Sequence, residues 1–341
     1  MTIVRARAPL RLGLAGGGSD VSPYCDVHGG YVLNSTIDRY AYAVIATVDD
    51  PVVRFISTDR QEELVLPLAA ELELDGRLDL HKAVYNEIIR SFNGGRTIPL
   101  ELSTFCDAPV GSGLGSSSTL VVVMICAFAE LLNLPLDDYA IAQLAYKIER
   151  HDCRLQGGHQ DQYSAAFGGF NFMEFYADRA IINPLRIKQW VVCELEASLV
   201  LFYTGVSRES ANIIADQSAN LKTGDSNAIE AMHGIKREAL IMKECLLKGN
   251  FGGIVSSMRD GWENKKRSAK TVSNPLIDEI YRVAVEAGAL AGKVSGAGGG
   301  GFMMFFVPPE RRMDVIRTLG RFEGQISNCH FTPSGAQAWR V

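Results

Sequence analysis

The residues of this chain best suited to chemistry lie in Pro109-Val110-Gly111-Ser112-Gly113-Leu114-Gly115-Ser116-Ser117-Ser118-Thr119, between an extended segment at 100–105 and an apolar run at 120–132. A glycine-rich loop that opens a helix is an anion site. Glycine lets the backbone approach a phosphate, and the free N–H groups of the first turn point at it. Pro109, Gly111, Gly113, Leu114, Gly115, Ser116, Ser117 and Ser118 are the expected phosphate-binding residues, with serine hydroxyls as further donors or as an oxygen ligand for Mg²⁺. No Gly-Lys-Ser/Thr occurs, so this is not the common P-loop. The same run also reads as an ordinary helix start with capping serines.

Two more glycine-rich segments flank it in sequence: Ala8-Pro9-Leu10-Arg11-Leu12-Gly13-Leu14-Ala15-Gly16-Gly17-Gly18-Ser19-Asp20 and Lys293-Val294-Ser295-Gly296-Ala297-Gly298-Gly299-Gly300-Gly301-Phe302. Three such loops in this order resemble the GHMP kinase superfamily, and the resemblance covers nearly the whole chain. Gly16-Gly17-Gly18-Ser19-Asp20 followed by Gly29-Gly30-Tyr31-Val32-Leu33-Asn34 is similar to the branch acting on D-glycero-D-manno-heptose 7-phosphate, as is Gly157-Gly158-His159-Gln160-Asp161-Gln162-Tyr163. The resemblance implies ATP and Mg²⁺ as cofactors and transfer to the anomeric hydroxyl of that sugar phosphate. The product would be a 1,7-bisphosphate for nucleotide-activated heptose and surface polysaccharide. An L-fucokinase-like or other sugar 1-kinase is the alternative within the superfamily. A non-catalytic sugar-binding regulator on the same fold is the alternative outside it. Retention of Asp161, Glu149, Ser117 and Arg11 together argues against the regulator.

The resemblance also assigns roles. Asp161 is the catalytic carboxylate facing the attacking hydroxyl, either taking its proton or orienting it. Arg11 is a fixed cation near that carboxylate, which keeps it ionised and offsets transition-state charge. Glu149, in a Glu149-Arg150 pair, and Ser117 are the Mg²⁺ ligands, since Mg²⁺ takes a few hard oxygens besides phosphate. Gly17, Gly18, Ser19 and Asp20, with Gly298 and Gly299 of the third loop, are the substrate-binding residues. Read without the resemblance, Asp161 is a loop aspartate, Glu149 a solvated helix-end carboxylate, Arg11 a strand arginine, and Asp20 an N-cap for 21–27.

Departures narrow the substrate. Galactokinases carry Glu-His where this chain has Gly17-Gly18, so galactose loses two polar contacts and a larger sugar gains space. The third loop contains Gly-x-Gly-x-x-Gly, but the strand-like Phe302-Met303-Met304-Phe305-Phe306-Val307 follows it, where a dinucleotide fingerprint needs a helix. His151, Cys153 and His159 lack zinc spacing. Lys265-Lys266-Arg267 is either a solvated face or the receiver of a substrate phosphate.

The elements that must position these residues follow from pattern. The chain has 341 residues, 47% of them hydrophobic, enough for more than one domain, and a net charge of −5 that does not suggest nucleic-acid binding. Its seven cysteines are scattered with no Cys-x-x-Cys, and its N-terminus has no apolar signal core. The longest apolar run is too short for a bilayer, so the expectation is a cytoplasmic monomer or homodimer with no membrane or nucleic-acid partner. Strands are expected at 40–47, 52–57, 98–105, 168–175 and 198–203. Helices are expected at 81–92, 118–132, 139–151, 226–248, 251–264, 275–288 and 310–319. Residues 178–184 read as turn-rich, and 293–307 as strand, glycine loop, strand. The order is α+β without regular β-α alternation. The boundary is placed near 185, giving 1–185 with the phosphate loop and 186–341 with the third loop. The resemblance implies a first domain like the second domain of ribosomal protein S5 and a ferredoxin-like second domain.

Overall fold

The computed structural model describes residues 1–109, 111–206, 210–222 and 225–341, so Val110 of the phosphate loop lies outside the described residues. Two sheets carry the architecture. The first joins β1 (Ile3–Ala15), β2 (Gly30–Thr47), β3 (Val52–Ser57), β4 (Glu62–Pro67), β5 (Leu100–Cys106), β6 (Phe170–Phe175) and β7 (Ala180–Pro184). The second is four-stranded, from β8 (Leu199–Tyr203), β9 (Ala291–Val294), β10 (Phe302–Phe306) and β11 (Gln325–Ser327). The last strand, β12 (Gln337–Arg340), returns to pair with β1, so the segment after residue 185 also completes the first sheet. Among the described residues only β3 and β5 pair in parallel; the other strand pairings are antiparallel.

The helices are α1 (Tyr24–His28), α2 (Asp79–Phe92), α3 (Ser116–Leu132), α4 (Asp138–Lys147) and α5 (Gln160–Phe167), then α6 (Gln189–Ser198), α7 (Ser210–Lys222), α8 (Ser226–Lys248), α9 (Phe251–Ser268), α10 (Pro275–Glu286) and α11 (Arg312–Leu319). Helix α3 is apolar all round, as a helix buried on every face must be. It packs under the first sheet with Val84, Tyr85 and Ile88 of α2. A second apolar cluster holds Leu10, Leu12 and Leu14 of β1 against Leu199, Leu201 and Met304 of the second sheet. The register of β1 on β2 shifts between Pro9 and Arg11, which re-aims the strand as it leaves the first core for the second.

The pattern misjudged a few places. Residues 180–184, expected as turn, form an edge strand on β6, where Pro184 costs no ladder bond in the sheet interior. Helix α5 had no sequence assignment, because eight residues after two glycines show little amphipathic periodicity. Helix α4 stops at Lys147, and Ile148–Asp152 continues as a π-turn. Such a turn inserts a residue into the helical ladder and is frequent at functional sites. The alternative reading of Asp20 as an N-cap does not hold: α1 starts at Tyr24, after Pro23.

Candidate active site

The three glycine loops converge on one cleft of about 250 Å³. Helix α3 opens at Gly115 (φ 80°) without a side-chain cap, which leaves its first N–H groups directed at the cleft. Gly113 (φ 79°) is held so close to the third loop that a Cβ there would lie 2.4 Å from the Ser295 carbonyl oxygen. The phosphate loop and the third loop thus pack backbone to backbone, which any side chain would prevent.

Arg11, 4% exposed, crosses between them. Its Nε donates to Asp161 Oδ1 at 2.7 Å, its Nη2 lies 2.7 Å from the same oxygen, and its Nη1 donates to the Gly113 carbonyl at 2.6 Å. Asp161 sits in the first turn of α5, where a carboxylate is favoured by the helix dipole. A Cβ on Gly115 would come within 3.1 Å of Asp161 Cγ, so the start of α3 and the carboxylate face each other with no side chain between. Asp20 is fully buried: Oδ2 accepts the Gln160 backbone N–H at 3.0 Å, and Oδ1 accepts Gln160 Nε2 at 3.0 Å and the Gly18 N–H at 3.0 Å. Asp20 therefore ties the first glycine loop to the start of α5. His159, just before Asp161, stacks on Tyr146 at 3.9 Å, and burial lowers its pKa.

Glu149 comes from the π-turn and is 2% exposed. It accepts Ser117 Oγ at 2.9 Å, Ser118 Oγ at 2.6 Å and Gln162 Nε2 at 2.6 Å, with Arg150 Nη1 at 3.2 Å. Gln162 Oε1 beside it is buried without a partner. This clustered set of hard oxygens against the phosphate loop fits Mg²⁺, which takes one or two protein oxygens and completes its shell with phosphate and water. Among the described residues no group of three or more His, Cys, Asp or Glu forms a metal cluster.

Several expected contacts fall elsewhere. The Ser19 hydroxyl is fully buried, has the Gly16 and Tyr31 carbonyls within reach of its one proton and accepts the Tyr31 N–H, so it pins the loop and leaves the cleft to Gly17, Gly18 and Asp20. Gly298 and Gly299 pack on Val272, Gly299 N–H donating to its carbonyl at 2.8 Å; Gly296 and Ala297 line the cleft instead. Leu114 is buried in the second apolar cluster and serves the site through its carbonyl, which accepts Arg11 N–H at 3.1 Å. Pro109 is exposed outside the cleft lining. Gly111, Gly113, Gly115 and Ser116 to Ser118 do line it.

Sequence reasoning missed Lys293 and left Lys265 as one of several cations. Both line the cleft, at 7% and 5% exposure. Lys265 Nζ donates to the Gly296 carbonyl, and Lys293 Nζ to the Leu14 carbonyl at 3.1 Å. Burial, then the neighbouring charges of Lys293 and Arg11, push Lys265 down to about 7; burial, partly offset by the charge of Glu238 and added to by Arg11, pushes Lys293 down to about 8. Burial also raises Glu238, behind the first loop, to about 7. Lys266, by contrast, is on the surface and pairs with Glu263 at 2.8 Å. The signal for Lys293 was a lone cation in an otherwise small and apolar strand, Ala291–Val294.

Comparison with known proteins gives the family. The family description "GHMP kinases N terminal domain" matches residues 79–169, and "GHMP kinases C terminal" matches residues 242–323. The chain is 46% identical to a D-glycero-alpha-D-manno-heptose 7-phosphate kinase of Campylobacter jejuni, over 100% of both chains. A crystal structure of a D-glycero-D-manno-heptose 1-phosphate kinase from Bacteroides thetaiotaomicron superimposes with a TM-score of 0.85 at 45% identity, covering 99% of each chain. An L-fucokinase/L-fucose-1-P guanylyltransferase of Bacteroides fragilis is 26% identical over 87% of this chain and 34% of its own length. With its paired glycine loops, the two-sheet fold and these full-length matches, the chain belongs to the GHMP kinase family.

Proposed function

We propose that this chain is an ATP-dependent sugar kinase that phosphorylates the anomeric hydroxyl of D-glycero-D-manno-heptose 7-phosphate, giving the 1,7-bisphosphate, ADP and a proton. The observation that carries the reading is the Asp161 carboxylate, clamped by Arg11 and set directly across Gly115 from the uncapped start of α3. A hydroxyl on Asp161 then meets a phosphoryl group held by the α3 N–H groups. The full-length likeness to a heptose 7-phosphate kinase supports the choice of sugar. The name of the first heptose kinase gives the 7-phosphate as acceptor and that of the second gives the 1-phosphate; transfer from ATP to O1 of the 7-phosphate follows the first, which matches over 100% of both chains.

In this reading the acceptor O1 attacks the γ-phosphorus, the bond to the β–γ bridging oxygen breaks, and Asp161 takes or orients the hydroxyl proton. Arg11 holds Asp161 in one rotamer and supplies positive charge where negative charge builds up; positioning and electrostatics of this kind are what phosphoryl transfer needs. Asp20 fixes the start of α5 and thereby the direction of Asp161. Ser117 and Glu149 would hold Mg²⁺, which when bound supplies charge neutralisation on the phosphates. No described helix is long and apolar enough to cross a membrane, in keeping with work in the cytoplasm.

The test is ADP release over a panel of free and phosphorylated sugars, including heptose 7-phosphate, heptose, L-fucose and galactose. Heptose 7-phosphate is expected to have the highest kcat/KM. Preferential turnover of L-fucose would replace the reading with the fucokinase one.

A further inference from the structure

We propose that Lys265 and Lys293 form the subsite that recognises the phosphate monoester already carried by the acceptor, and so set the preference for a phosphorylated over an unphosphorylated sugar. The proposal rests on the sugar-phosphate kinase reading above and deepens it.

The pair is built from two elements. Lys265 is on the last turns of α9, and Lys293 is on β9 beside it. Each is at least nine-tenths buried, and both line the cleft. Neither has a carboxylate within ion-pairing distance among the described residues. Among the described residues each donates to a neutral carbonyl, Gly296 for one and Leu14 for the other. An ammonium has three donors, so each keeps donors to spare. Buried charges are normally paired or neutralised. Here two lysines face the same cavity, and the carboxylates that act on them, Asp20 and Asp161 on Lys265 and Glu238 on Lys293, form no ion pair with them among the described residues, an arrangement that an incoming dianion would complete.

The position favours the acceptor over ATP. The ATP phosphates would have the α3 N-terminus and the Ser117–Glu149 oxygens as partners. Lys293 instead braces the first glycine loop at Leu14, and Lys265 braces the third loop at Gly296. A small cavity behind Gly16 and Gly17 is bordered by both lysines and by Glu238. Glu238 Oε1 is already engaged by Asn264 Nδ2 at 2.5 Å.

The experiment uses Lys265→Met and Lys293→Met in the full chain. The primary readout is the ratio of kcat/KM for heptose 7-phosphate to that for unphosphorylated heptose, with KM for ATP measured alongside. Each charge-assisted contact makes a large difference to binding, so the ratio is expected to fall by about tenfold or more in each variant, chiefly through KM for the phosphorylated sugar. Equal losses on the two sugars, an unchanged ratio, or a rise confined to KM for ATP overturns the proposal; the last of these would assign the pair to the γ-phosphate. The second readout does not need turnover. Inorganic phosphate should raise the Tm of the parent protein and have much less effect on either variant. If the parent shows no preference for the phosphorylated sugar, the kinase reading fails on its own, while the inorganic-phosphate measurement still decides the lysine subsite. A phosphate-dependent Tm rise that survives in both variants removes that subsite.

Discussion

On the wall of the cleft built by β1, α3 and α5, each charge has a partner in place: Arg11 with Asp161, and Glu149 with Arg150, two serines and Gln162. On the wall built by α9 and β9, Lys265 and Lys293 donate, among the described residues, to carbonyl oxygens. The first wall is complete before any substrate arrives. The second is completed by its ligand. Residues of the paired wall should therefore act on kcat and on the metal requirement. Those of the unpaired wall should act on acceptor affinity, and their burial should cost stability in the free protein.

The largest effect is expected at Asp161. Asp161→Ala should lower kcat by ~10²–10⁴-fold, the usual size for loss of a general base, and leave ATP binding in calorimetric titration intact. Near-normal turnover would remove Asp161 from the chemistry and break the distinction between the walls at its strongest point. Next come Ser117→Ala and Glu149→Ala, which should raise the Mg²⁺ concentration for half-maximal activity by roughly 10–100-fold, as losses around a metal site do. Titration curves that overlay the parent's would place the metal elsewhere.

The smallest effect is on stability, and its sign separates the walls. Lys265 titrates at about 7 in the folded chain and near 10.4, by about the usual value, once unfolded. Between those values the unfolded chain binds more protons, so stability from this group rises with pH, and its burial penalty is fully present below about pH 7. Glu238 runs the other way, since its folded value of about 7 lies above the unfolded one, but its window closes near pH 7. Lys265→Met should accordingly stabilise the free protein at pH 7 and flatten the rise in stability between pH 7 and 10. Urea unfolding across that range measures both. A destabilised variant with an unaltered slope would mean that the lysine is a structural strut.

The sequence made the paired wall readable because its residues sit in contiguous motifs. Glycine spacing located the phosphate loop, and Arg11, Asp161, Ser117 and Glu149 came from the segments that resemble known kinases. The structure brings all four to one cleft. What was unreadable depended on which way a side chain turns or on contacts far along the chain. Ser19 lies within a motif, yet its hydroxyl is consumed by backbone groups. Gly298 and Gly299 provide the turn while Gly296 and Ala297 provide the surface. The unpaired wall was hardest to see: Lys265 and Lys293 are separated in sequence, neither lies in a charge pattern that marks burial, and only the packing of α9 on β9 unites them. Of the elements, β4, α6 and α7 escaped, as did α5 and β7, which are short and held mainly by neighbours, Asp20 for α5 and β6 for β7.

Whether the cleft phosphorylates O1 of a sugar that already carries phosphate at C7 is tested most directly by phosphorus NMR of the reaction with ATP, offering heptose 7-phosphate and heptose 1-phosphate separately. The expected result is consumption of the 7-phosphate with a new phosphorus signal coupled to the anomeric proton, matched by ADP, and no turnover of the 1-phosphate. Turnover of the 1-phosphate with the 7-phosphate left intact, or no ADP from either, would contradict it.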